Sequence, residues 1–195
     1  MSWHTVRLAS MAPQGWKNGG GLTRELLTWP TGADWRVRLS VADITADGPF
    51  SAFEGVQRWF AVLEGDGVCL TVDGVTTELR AVSPAFDFAG AAQTSCALRG
   101  GSTQDFNLML RGATGRLQRV QGQVHGMLAV GPAPDSIKFI ACYAINTRTK
   151  VIFGKDTCPV EPGTLAWRLV DRRAADTDTA WSVQADNALW MDITA

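Results

Sequence analysis

The sequence predicts an all-β protein made of two tandem barrel units in one compact chain. Three observations carry that expectation. Apolar residues alternate with polar ones at period two along much of the chain. Gly and Pro punctuate these runs at short intervals, and Asp73-Gly74 between apolar runs is a strong hairpin turn. No stretch carries a long apolar stripe at 3.6-residue spacing, so at most a short helix or two fits. With 195 residues, 46% of them apolar, the chain can bury a sizeable core.

The elements follow in order. The residues after Gly21 suit a strand. Trp35, Val37, Leu39 and Val41 alternate with Arg36, Arg38, Ser40 and Ala42, which reads as the next. Trp59 to Leu63 is an apolar run ended by the turn Glu64-Gly65-Asp66-Gly67. Val68 to Val72 and Val75 to Leu79 flank the Asp73-Gly74 turn as a meander. Ser83-Pro84 breaks the pattern, Ala85 to Phe88 resumes it, and Phe106 to Leu110 closes the set.

A second set repeats the plan faintly. Phe139 to Ala144, Lys150 to Phe153, Thr164 to Leu169 and Ala188 to Ile193 read as strands, with Gly154-Lys155 and Glu161-Pro162-Gly163 as punctuation. This places an N-terminal unit at 1–115 and a C-terminal unit at 116–195, joined near Gly112 to Gly131, with His125 in the linker. The segment Arg58 to Gly74, RWFAVLEGDGVCLTVDG, has the strand-turn-strand rhythm of a cupin jelly roll. The expected architecture is thus a bicupin.

Several function classes fall away. Net charge is −1, so nothing global attracts nucleic acid or an acidic membrane, and neither is expected as a partner. No apolar run reaches the ~18 residues of a membrane span, and Met1-Ser2-Trp3-His4 lacks a signal-peptide pattern. The expectation is a cytoplasmic protein. Cys69, Cys96, Cys142 and Cys158 form no CxxC pair and read as buried thiols. A cupin metal site would need an HxH pair where this chain reads Val56-Gln57-Arg58-Trp59, and the two histidines, His4 and His125, lie far apart. No metal and no other cofactor is expected. Gly19-Gly20-Gly21 is followed by neither a Gly-Lys-Ser/Thr nor a helix, which argues against a phosphate loop. There is no G-x-S-x-G elbow.

What remains is a polar lining. Arg38 and Ser40 share a strand face, as do Thr23 and Glu25, and Asp105 and Asn107; Arg58 opens an otherwise apolar strand. Either these faces meet solvent or they line a barrel. If they line it, Arg38 and Arg58 need Asp105, Glu25 or a ligand as partner. Arginines are in excess, 14 against 4 lysines. An arginine fork beside an amide suits a small carboxylate. The glycines would let Trp16, Lys17 and Asn18 fold over the mouth.

The same residues carry a likeness. The segments WKNGGGLTREL (from Trp16), VRLSVADITADGPFSAFEGVQRWFAVLEG (from Val37) and QDFNLMLR (from Gln104) resemble the HutD/Ves family of small bacterial cupin-like proteins. The matching positions are Trp16, Lys17, Asn18, Thr23, Arg24 and Glu25; Arg38 and Ser40; Gly48, Phe50, Ser51, Phe53 and Gly55; and Asp105, Phe106, Asn107 and Met109. The resemblance implies a metal-free, two-unit β-barrel protein that binds a metabolite of histidine utilisation and moderates the pathway, with other members linked to stress. It brings no established reaction.

The expected function is therefore binding of a small carboxylate of the urocanate, formiminoglutamate or formylglutamate class. The binding residues would be Trp16, Lys17, Asn18, Thr23, Glu25, Arg38, Ser40, Arg58, Asp105 and Asn107. A homodimer is left open. One alternative is an isomerase or hydrolase using Glu25 or Asp105 as general base. Another is an interaction module anchored on Trp29, Trp167, Trp181 and Trp190.

Overall fold

The computed structural model describes residues 2–128, 136–170 and 179–195. Among these, strands dominate, with one 3-10 turn at Leu8–Ser10 and no α-helix, and hence no helix long and apolar enough to cross a membrane. The strands are β1 (His4–Arg7), β2 (Gln14–Gly15), β3 (Gly21–Trp29), β4 (Val37–Ile44), β5 (Gly48–Pro49), β6 (Val56–Glu64), β7 (Val68–Val72), β8 (Val75–Leu79), β9 (Phe86–Ala89), β10 (Thr94–Leu98) and β11 (Thr103–Arg111). Then come β12 (Thr114–Leu128), β13 (Lys138–Ala144), β14 (Thr149–Phe153), β15 (Asp156–Val160), β16 (Thr164–Val170) and β17 (Thr179–Thr194).

The chain divides into two units, one of residues 11–112 and one of residues 1–10 with 113–195. In the 11–112 unit a six-stranded sheet, β2-β3-β4-β11-β6-β9, accompanies a four-stranded sheet, β5-β10-β7-β8. Inward side chains from both sheets make an apolar cluster. Ile44, Phe60, Val62 and Phe88 come from the larger sheet, and Val68, Leu70, Leu79 and Cys96 from the smaller. Two central strands of the larger sheet change character along their inner face. On β4 the row runs Arg38, Ser40, Ala42, Ile44; on β6 it runs Val56, Arg58, Phe60, Val62. The apolar ends close the core and the polar ends are left to something else.

The other unit is a single seven-stranded sheet containing β1, β16, β13, β17, β14 and β15, with β12 paired to β17. Its interior is mostly hydrocarbon, with Arg168 buried at its edge, Cζ 5.5 Å from the Trp3 ring centroid and 5.0 Å from that of Phe153. Trp190 and Trp181 stack with ring centroids 4.6 Å apart among Cys142, Val151, Val160 and Val183. Trp181 and Trp190 are therefore core residues and not exposed anchors, while Trp167 stacks on His4. Three cysteines are buried as expected; Cys69 is half-buried, and all four are free thiols.

Two boundaries differ from the sequence expectation. The first ten residues, read with the N-terminal unit, belong with the other one, because β1 pairs antiparallel with β16 from His4↔Trp167 to Arg7↔Thr164. A four-residue strand does not encode its partner locally; pairing across some 160 residues is a tertiary choice. The expected linker is mostly strand. β12 pairs with β17 along its length, with a bulge between Val120 and Gly122, and His125 faces Ser182 across the ladder. Residues 129–131 of that stretch lie outside the described ones. Gly126 in this strand has a packing reason: a Cβ there would meet the Trp181 ring at 2.9 Å.

Candidate functional site

The inner face of the six-stranded sheet sets the site. Cross-strand registry places Arg38 opposite Met109 and Met109 opposite Arg58, with Phe88 next in the row. One row along the strands lie Glu25, Ser40, Asn107 and Phe60; the next holds Thr23, Ala42, Asp105 and Val62. Neighbouring strands sit about 4.8 Å apart, so Arg38 and Arg58 are about 10 Å apart across Met109. The polar halves of these rows face a cavity of about 630 Å³.

Of the ten residues expected to bind, nine line this cavity: Trp16, Lys17, Asn18, Thr23, Arg38, Ser40, Arg58, Asp105 and Asn107. Glu25 is not among the lining residues. Its carboxylate instead forms an ion pair with Arg38, Nε to Oε2 2.8 Å, without the alignment of a hydrogen bond.

Arg58 is the centre of the floor, 5% exposed. Its Nη2 donates to Asn107 Oδ1 at 2.9 Å, and Asn107 Nδ2 donates in turn to Asp105 Oδ1. Phe50, Phe53 and Phe88 surround the guanidinium, with ring centroids 5.1, 5.7 and 5.0 Å from Cζ. Aromatic faces stabilise a desolvated cation, and Arg tolerates burial because it is weakly hydrated. Burial lowers the Arg58 pKa to about 10, with Asp105 opposing and Arg38 assisting, so it remains a cation at neutral pH.

Asp105 is 1% exposed, and its Oδ2 has no partner. Burial pushes its pKa up to about 8, against the opposing pull of Arg58 and the Asn107 hydrogen bond. A buried orphan oxygen fits the protonated acid better than the anion. The sign of the resulting pH dependence is set by this rise. Between pH ~4 and about 8 the folded chain holds a proton that the unfolded carboxyl has released, so stability from this group falls as pH rises through that window. Asp105→Asn removes the dependence. Denaturant titrations at pH 5 and pH 8 should show the variant gaining a few kcal/mol on the parent over that interval. Parallel curves would mean that Asp105 is ionised throughout.

The glycine run builds the rim. Trp16 N–H donates to Gly21 O, Gly20 N–H donates to Asn18 Oδ1 at 3.1 Å, and Trp16 Nε1–H donates to Thr23 Oγ1 at 2.7 Å. Gly21 is needed for close approach: a Cβ there would sit 2.5 Å from Asp43 O and 3.1 Å from the Trp16 ring. The run is thus a turn that lays Trp16 against Phe50, edge to face at 6.0 Å.

Sequence reasoning missed the aromatic cage. Phe50 and Phe53 stood in a quoted motif without a role, and Phe88 was read only as a strand residue. The spacing Phe50-x-x-Phe53 next to a strand that begins with a charged residue is the signal that could have found two of the three. Gln14, Pro49, Ser51 and Met109 also line the cavity. The other unit has a hollow of about 600 Å³ near Arg148, Lys150 and Gln184; most of its lining residues are exposed, Thr149 and Ala185 being buried, and no buried charge lines it.

Comparison with known proteins gives the family and the fold. The chain is 47% identical over 98 residues to an uncharacterised 21.2 kDa protein from the hutC 3′ region of Pseudomonas putida, covering 48% of this chain and 50% of that protein. It is 39% identical over 99 residues to Protein Ves of Citrobacter koseri, covering 49% and 51%. The matches thus span about half the length of these curated relatives. Among solved structures, HutD from Pseudomonas fluorescens SBW25 (formate condition) superposes with a TM-score of 0.78 at 28% identity, over 98% of each chain. Oxalate decarboxylase from Lactobacillus farciminis, at 8% identity and a TM-score of 0.59 over 97% of this chain and 85% of that one, shares the cupin-like fold alone. The HutD family model matches residues 8–186, nearly the whole sequence, and the chain belongs to the HutD family.

Proposed function

We propose that this protein binds a small carboxylate metabolite in the cavity of the 11–112 unit and so moderates histidine utilisation. The observation that carries the reading is Arg58: a buried cation, caged by aromatics, hydrogen-bonded to a neutral amide and facing a cavity wide enough for a metabolite. An anion placed there gains a charge-assisted hydrogen bond in a desolvated site. The hutC-region relative and the HutD structure support the pathway; the ligand class is argued from the arginine. In this reading the chain works as two tandem cupin units without a metal, and the unit without this cavity is the scaffold.

Calorimetric titration with urocanate, formiminoglutamate and formylglutamate tests it. At least one is expected to bind with a measurable heat, and more tightly below about pH 8 than above, because ionised Asp105 competes with the ligand for Arg58. Folded protein that takes up none of the three ends the proposal. A second reading, catalysis with Asp105 as general base, draws on its raised pKa inside the cavity. Mass-monitored turnover of the bound metabolite separates the two.

A further inference from the structure

The cations around the cavity are not equivalent. Arg38 has its charge answered by Glu25. Arg58 is hydrogen-bonded to neutral Asn107, and Asp105 is the single acidic residue lining the cavity. Lys17 also lines it, and among the described residues no ion pair involves Lys17.

Two positive groups are therefore left for a ligand, and they lie in different places. Arg58 sits in the row of Arg38 and Met109. Lys17 belongs to the turn between β2 and β3, next to Trp16 and beyond the Gln14↔Thr23 pair, which registers with Ala42. Both line the one cavity, Arg58 from β6 and Lys17 from the turn before β3. One cation is at the buried floor and the other on the exposed rim.

Resting on the carboxylate reading above, we infer that the site selects a diacid, with one carboxylate on the Arg58 guanidinium and a second, a few carbons away, on the Lys17 ammonium. A monoacid satisfies the floor and leaves the rim cation to water. A diacid satisfies both, and the cavity of about 630 Å³ has room for the longer molecule. The floor contact supplies most of the affinity because it is desolvated; the rim contact supplies discrimination and is screened by salt.

The test is a calorimetric series: glutarate against valerate, adipate against hexanoate, pimelate against heptanoate, at low and at high ionic strength. At low salt the best diacid should bind about three- to ten-fold more tightly than the monoacid of equal length, and the margin should shrink as salt is added. Lys17→Gln should bring that ratio towards one, with an unchanged melting temperature, since the Lys17 side chain is exposed. Equal binding of diacids and monoacids, or a ratio that survives Lys17→Gln, overturns the diacid inference while leaving carboxylate binding standing. Failure of every acid in the series to bind overturns both.

Discussion

Arg58→Ala is expected to abolish carboxylate binding, lowering affinity at least 100-fold, about 3 kcal/mol. The same change should destabilise the fold by roughly 2–4 kcal/mol. The two effects share one cause. Arg58 is the donor that Asn107 Oδ1 accepts from, and its guanidinium fills the space between Phe50, Phe53 and Phe88. Truncation leaves a buried acceptor unpaired and a void among three rings. Arg58→Met separates the effects. It fills most of the volume and removes the charge but still leaves Asn107 Oδ1 unpaired, so stability should recover by about half of the loss while binding stays lost. Denaturant titration beside calorimetry reads both. A methionine variant that binds a carboxylate as the parent does would remove the physical basis of the proposed function.

The second large effect is expected in the other unit. Trp190 is fully buried, packed face to face on Trp181. Trp190→Ala should cost about 3–5 kcal/mol, from lost transfer free energy and the cavity left behind. Trp190→Phe provides the control. The indole Nε1 of Trp190 has no hydrogen-bond partner, as is also true of Trp181, so the smaller ring loses volume and also removes an orphaned donor. Its cost should stay near 1–2 kcal/mol. Chemical denaturation followed by tryptophan fluorescence measures both variants. An alanine variant within 1 kcal/mol of the parent would mean that this stack is not where the unit's stability resides.

Much of the site was legible in advance, for a reason that lies in the pleat. In an extended chain successive side chains point to opposite faces, so Arg38 with Ser40, and Asp105 with Asn107, had to share a face whatever the strands paired with. The turn chemistry was equally local. Asp73-Gly74 joins β7 and β8, and the residues after Gly21 form β3 as the pattern required. Glu25 marks the edge of this kind of inference. Its face was right, opposite Ser40, yet its carboxylate pairs with Arg38 and leaves the cavity lining.

By itself the amino-acid order determined the all-β class, the turns, and which polar residues travel together, because each depends on neighbours within a few positions of one another. Tertiary structure alone decided that those faces turn inward, that Arg58 lands beside Met109 and Asn107 within a ring of phenylalanines, and that the first strand pairs with β16. Those outcomes depend on register between strands distant along the chain. Register is chosen by the summed burial of whole sheets, and no short window of residues holds that sum.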